Sequence, residues 1–277
     1  MNAIGPLPIG TRVFHGETLD SFAHRHALRN HTTVHEVEQS LRASGLLTTS
    51  RDRKHEDRAT AWRALGALSP TAFPTTGRVA GIPIVTRRLC GHCTRGQVAY
   101  GAMPDMGHVC LTHSRWLGTT QVDVHRYPAA TKAERTFRRL ARRGVLFDAP
   151  VMQIGRSAAF AGTPRAALDR RASSLRIDDH DALVYPEQVG VAEMLCDPFV
   201  MERATDPTIT TSARRAAVAT ALEHIFSRVP VARIWAAVLA IQPALDRTLD
   251  QRREHRALTA VGDEVQFGIL RHLELSG

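Results

Sequence analysis

The sequence predicts a mainly α-helical protein in three parts: an N-terminal helix-turn-helix-like unit, a small cysteine-rich module and a C-terminal α-helical bundle. Three observations lead there. Apolar residues recur at helical spacing over much of the chain, with capping residues ahead of them and prolines or glycines behind. No alternating strand-and-helix pattern suggests a parallel sheet. Three of the four cysteines fall in one short window. The segments are 1–70 for the N-terminal unit, 71–85 for a linker, 86–128 for the cysteine-rich module and 129–277 for a basic helix followed by the bundle.

In the first segment, Gly16-Glu17-Thr18 precedes a helix whose Leu19, Phe22, Ala23, His26 and Ala27 share one face. Asn30-His31 ends it, and Thr32 or Thr33 offers the N-cap of a second helix that buries Val34, Val37 and Leu41 and stops near Gly45. A third helix, from about Asp57 to Leu68, presents Ala61, Trp62, Leu65 and Leu68. Two short helices joined by a tight polar turn, with a third against them, give a helix-turn-helix outline. The helix after the turn carries Glu36 and Glu38 beside His35, Gln39 and Arg42, so a plain three-helix unit fits equally well. Arg51, Arg53, Lys54 and Arg58 follow as backbone contacts or as a solvated loop. Pro70, Pro74, Gly77, Gly81 and Pro83 then mark the linker.

The cysteine-rich module contains Cys90-Gly91-His92-Cys93 and, after sixteen residues, Cys110-Leu111-Thr112-His113. Zinc takes four thiolate or imidazole ligands in a tetrahedron, and two short-spaced pairs a dozen or more residues apart supply that arrangement. Cys90, Cys93, Cys110 and His113 are therefore the expected ligands of one zinc ion. With all four positions filled by protein, the site is structural rather than catalytic. His92 and His108 lie close enough to replace a member of the set. Trp116-Leu117 is expected to pack against the knuckles, and Tyr127-Pro128 closes the module.

The next stretch concentrates positive charge. Between Thr131 and Arg176 eleven basic residues face three acids, an excess of eight that nearly equals the +9 of the whole chain. Arg135, Arg138, Arg139, Arg142 and Arg143 recur at helical spacing, with Phe137, Leu140 and Ala141 on another side. Such a face suits the phosphates of double-stranded DNA, where each neutralised phosphate releases counterions. The alternative is a solvated face whose arginines pair with acids elsewhere. The last hundred residues read as wholly helical. Pro186 is expected to open a helix through Leu195, and Thr211 or Ser212 to cap one through Ser227. Val231 to Ile241 is read as buried, Pro243 as the start of a further helix, and Glu264 as the start of a last one.

Composition narrows the function classes. A hydrophobic share of 43% and a charged share of 23% are ordinary for a folded soluble chain. An aromatic share of 5% gives little support for a base-stacking platform. Residues 1–10 lack the basic and apolar stretches of a secretory signal, and the longest apolar run, Ile234 to Ile241, is too short for a bilayer. A reducing, cytoplasmic setting is expected, in which clustered cysteines mean metal. Cys196 reads as a small buried apolar residue. No phosphate-cradling glycine loop and no metalloprotease histidine pair is present. The acidic run Asp178-Asp179-His180-Asp181 reads as a loop and helix cap, or alternatively as part of a metal-dependent nuclease, for which His108 is the other candidate. No catalytic residue is assigned, and the expectation is a protein that is not an enzyme.

Leu7-Pro8-Ile9-Gly10 followed by Gly16-Glu17-Thr18-Leu19-Asp20-Ser21-Phe22 resembles the opening of TniQ-type proteins. The finger Cys90, Cys93, Cys110 and His113, the run Cys110 to Leu117, and Tyr185-Pro186-Glu187 are also similar to actinobacterial members. The resemblance covers about the first 145 residues well and the rest loosely. It implies target selection for transposition: binding DNA, or a DNA-bound guide complex, and recruiting an AAA+ ATPase regulator that brings the transposase. Such proteins carry no catalytic residues of their own. Many members have a second Cys-x-x-Cys after the finger, where this chain has Val122-Asp123-Val124-His125. A stand-alone transcription regulator built from the same parts is the alternative.

Overall fold

The computed structural model describes residues 7–47, 55–74, 78–79, 81–227 and 229–259. The chain is mainly helical. Its helices are α1 (Leu19–Arg29), α2 (Val34–Ala43), α3 (His55–Leu65), α4 (Pro128–Ala141), α5 (Pro150–Gly162), α6 (Arg165–Leu175), α7 (His180–Leu195), α8 (Pro198–Ala204), α9 (Thr211–Ile225) and α10 (Val231–Thr259). Among the described residues, six two-residue strands form three antiparallel ladders: β1 (Arg78–Val79) with β2 (Ile82–Pro83), β3 (Arg87–Arg88) with β4 (Tyr100–Gly101), and β5 (Val109–Cys110) with β6 (Arg115–Trp116). The chain divides into two compact units, one of residues 1–77 and 84–103, the other of 78–83 and 104–277.

In the first unit, α1, α2 and α3 enclose Leu19, Phe22, Ala23, Ala27, Val37, Leu41, Ala59, Trp62 and Leu65. The local signals act as read. Thr18 caps α1 by accepting from the Ser21 amide, and Thr33 with Glu36 forms a reciprocal capping box on α2. Glu17 is fully buried, where it accepts from the Arg25 guanidinium at 2.7 and 2.8 Å, the Ser21 hydroxyl and the Phe14 amide. That network pairs a charge which burial would otherwise penalise heavily. Arg58 is held by Asp20 and Glu38. Arg51, Arg53 and Lys54 lie outside the described residues, as does the helix expected from Glu264.

The second unit is organised around α7, which is apolar nearly all round: Ala182, Leu183, Val184, Tyr185, Val189, Val191, Ala192 and Leu195 are buried. Such a helix requires neighbours on every side, and α4, α5, α6, α8 and α9 pack against it, while α10 lies on α5 and α9. Gly155 allows the α5–α7 approach: a side chain there would stand 2.6 Å from the Gln188 carbonyl oxygen. Three expectations are corrected. Helix α7 starts at His180 rather than Pro186, because Asp179 caps it by accepting from the Asp181 and Ala182 amides. Pro243 lies within α10 instead of opening a helix. Val231, Trp235 and Leu239, expected in the core, are 65, 41 and 59% exposed, while Ile234, Ala237, Val238 and Ile241 are buried. The i, i+4, i+8 spacing puts the exposed three on one side of α10, away from its packed face.

Candidate metal centre and basic helix

Each pair of the cysteine–histidine cluster sits on a turn fixed by the backbone. After Cys90, the Thr94 amide donates to the Cys90 carbonyl at 3.0 Å and the Gly96 amide to the Gly91 carbonyl at 2.7 Å. Thr94 is fully buried, and its hydroxyl reaches the Gly91 and Gln97 carbonyls. Gly96 adopts a φ of 81°, a conformation that favours glycine. The second knuckle is the β5–β6 turn, with Cys110 opposite Arg115 and the left-handed Ser114 between them. Val122 and Val124 flank that turn: the Trp116 amide donates to Val122 at 2.9 Å and the Val124 amide to Ser114 at 2.8 Å. The segment Val122-Asp123-Val124 is thus backbone-paired beside β6, with Asp123 bridged to Arg115.

One potential ligand atom from each of Cys90, Cys93, Cys110 and His113 lies within 4.8 Å of the other three. The Cys110 Sγ to His113 Nδ1 distance is 3.6 Å. A tetrahedral zinc with Zn–S near 2.3 Å and Zn–N near 2.0–2.1 Å requires about 3.5 Å along that edge. Three soft thiolates and one imidazole match zinc in chemistry as well as in spacing. Among the described residues no other group of three or more His, Cys, Asp and Glu side chains converges in this way. His92 and His108 are outside the set. His108 instead stacks on Trp116, with ring centroids 4.8 Å apart, and packs 4.7 Å from Phe147. Trp116 turns toward the helical core: its Nε1–H donates to Asp179 at 2.8 Å and its ring meets Tyr185. Asp179 thereby accepts from one distant donor as well as from the two amides it caps, and Asp181 holds Arg156 at 2.6 Å. Cys196 is half-buried against the core of the second unit.

The basic helix is α4. Ala130, Ala133, Phe137 and Leu140 form its buried side. Lys132, Arg135, Arg139, Arg142 and Arg143 are exposed. At 100° per residue Lys132, Arg135, Arg139 and Arg142 fall within an arc of about 80° on the opposite side. Arg142 is the C-cap and Arg143 lies just past the helix. Arg138 differs from the others, because its Nε donates to Glu134 at 2.9 Å. Arg139 meets Thr136 and, more loosely at 3.5 Å, Glu193.

Glu134 is the residue that sequence reasoning missed. It is fully buried and accepts from the Gly107 amide at 3.1 Å, the Val109 amide at 3.2 Å, the Tyr185 hydroxyl at 2.9 Å and Arg138. It thus ties α4 and α7 to the strand that carries Cys110. A side chain at Gly107 would collide with the Tyr185 hydroxyl and the Glu134 carboxylate. The available signal was the position of Glu134 beside Ala130, Ala133 and Phe137 on the apolar side of a basic helix.

Among the described residues, no helix is long and apolar enough to cross a membrane. Compared with protein families, curated proteins and solved structures, the chain matches none.

Proposed function

We propose that this protein is a non-enzymatic, zinc-stabilised DNA-binding adaptor of the kind the TniQ resemblance implies, selecting a DNA target and recruiting transposition partners. One observation carries the DNA contact: five cations exposed along one flank of α4 and the turn that follows it, opposite a fully packed apolar side. A flank of this kind neutralises phosphates without disturbing the core, and the released counterions drive association. Arg138 is a weaker contributor, since Glu134 already claims its charge. The zinc centre supplies fold rather than chemistry, as its four ligand positions are taken by protein.

The test is duplex binding at stepped salt. Five phosphate contacts give a slope of log affinity against log salt of about −4.5. The variant carrying Arg135→Ala, Arg139→Ala, Arg142→Ala and Arg143→Ala keeps only Lys132, and its slope is expected to fall to about −1 with weaker binding to all sequences alike. A flat salt response, or full affinity in that variant, overturns the assignment to α4.

A further inference from the structure

The first unit carries a half-open pocket of about 980 Å³ between α1 and the segment around β4. Ligand sites commonly span about 300–1,000 Å³, so this one is large. Three of its lining residues are large apolar groups left in water: Leu28 is 66% exposed, Val98 52% and Tyr100 46%. A surface that gathers such groups around a concavity marks a binding site.

Its polar groups are arranged unequally. Arg25 is held by Glu17 and also donates to Gln97 Oε1, so it is rigid and largely neutralised. Asp20 is engaged by Arg58. Arg29, at the end of α1, makes no ion pair among the described residues, and the exposed His24 stands beside it on the rim. The uncompensated charge of the pocket is therefore positive. Thr11 also lines it, is 5% exposed, and its hydroxyl has no hydrogen-bond partner. Buried hydroxyls are normally paired, so an orphan one in a pocket wall points to a missing partner.

From this we infer that the groove binds an acidic peptide segment of a partner protein. Its bulky apolar side chains rest on Leu28, Val98 and Tyr100, a carboxylate meets Arg29, and a backbone group pairs with the Thr11 hydroxyl. Nucleic acid fits less well. Tyr100 is the one large aromatic ring in the lining, beside the aliphatic Leu28 and Val98, so it could stack a single base at most, and one arginine without an ion pair is a poor phosphate track. The inference goes beyond the DNA contact of α4 and does not depend on it.

Panning a phage-displayed library of random twelve-residue peptides on the full-length protein tests it, with counter-selection on a Leu28→Asp/Arg29→Glu variant. Both substituted side chains are exposed on α1, so the variant keeps the thermal midpoint and helical circular dichroism of the parent. The expected clones carry net negative charge with Leu, Phe or Met. By fluorescence anisotropy their synthetic peptides bind the parent at least about tenfold more tightly than Arg29→Glu. They bind the quadruple α4 variant as they bind the parent, which separates this site from the DNA flank. No clone that distinguishes parent from double variant, selection of basic peptides, or displacement by a single-stranded oligonucleotide overturns the inference.

Discussion

Glu134 accepts four donors, two backbone amides, a phenol and a guanidinium, and that number explains why the position is a carboxylate. An ionised carboxylate is acceptor-only, with lone pairs for every donor present. A glutamine would turn an NH₂ toward at least one of them, and an alanine would take the acceptor away altogether. Removing one partner of a buried charged network costs about 3–5 kcal/mol. Glu134→Ala is expected to lose stability in that range by denaturant unfolding, and Glu134→Gln to lose less but measurably. Tyr185→Phe removes one hydroxyl and is expected to cost about 1 kcal/mol. Equal, near-zero changes in all three would mean that the network does not bear on stability. Residue roles of this sort were only partly legible in the sequence. Thr18, Thr33 and Asp179 act within three residues of themselves; Thr33 was among the caps the sequence offered, whereas the helix that Asp179 caps was expected to open only at Pro186. The partners of Glu134 come from positions 107, 109 and 185, which no local pattern brings together.

At the scale of elements, the seam of α1 with α3 is the place where pH acts on stability. His26 is fully buried on α1, stacked on Phe22 with centroids 5.2 Å apart and edge-on to Trp62 of α3. Burial pushes its pKa below the ordinary 6.5; the Leu65 carbonyl opposes this, and Arg25 and Arg29 add to the lowering. The folded protein therefore takes up this proton less readily than the unfolded chain, which does so near pH 6.5. Stability associated with this group is complete above that pH and is lost as pH falls below it toward the folded-state value. Unfolding free energy measured between pH 7.5 and 5 is expected to decline more steeply in the parent than in His26→Phe. Parallel profiles would remove His26 as the cause. The elements themselves were read with uneven success. Periodicity and caps located α1, α2 and α3. Beyond them, prolines misled: Pro186 and Pro243 lie inside helices held by packing, and packing is invisible to a local rule. The run from Val231 to Ile241 likewise showed apolar character but not which side of α10 meets a neighbour.

Across the whole molecule, the two apolar cores among the described residues are built mainly from helices, while the stretch from β3 to Tyr127 contains only short ladders and turns and adds Val109, Trp116 and Val124 to one of them. The cluster of Cys90, Cys93, Cys110 and His113 was legible because its information is chemical: ligand type and spacing survive without any knowledge of packing. That asymmetry gives a definite expectation for metal removal. Purified, reduced protein is expected to hold about one equivalent of zinc by elemental analysis, and cobalt substitution to give the visible bands of a tetrahedral three-thiolate site. Cys93 and His113 are exposed, so a chelator can reach the centre. Stripping the metal is expected to lower the thermal midpoint while leaving most helical circular dichroism at 20 °C, since the helices keep their own cores. Cys110→Ser removes a buried ligand and is expected to weaken zinc affinity at least about a hundredfold, with the same helical signal. His92→Ala and His108→Ala separate coordination from packing: neither is expected to change the cobalt spectrum, but His108→Ala loses its contacts with Trp116 and Phe147 and with them some stability. A cobalt spectrum altered by His92→Ala, or metal content well under half an equivalent, would break the assignment of Cys90, Cys93, Cys110 and His113 as the ligand set.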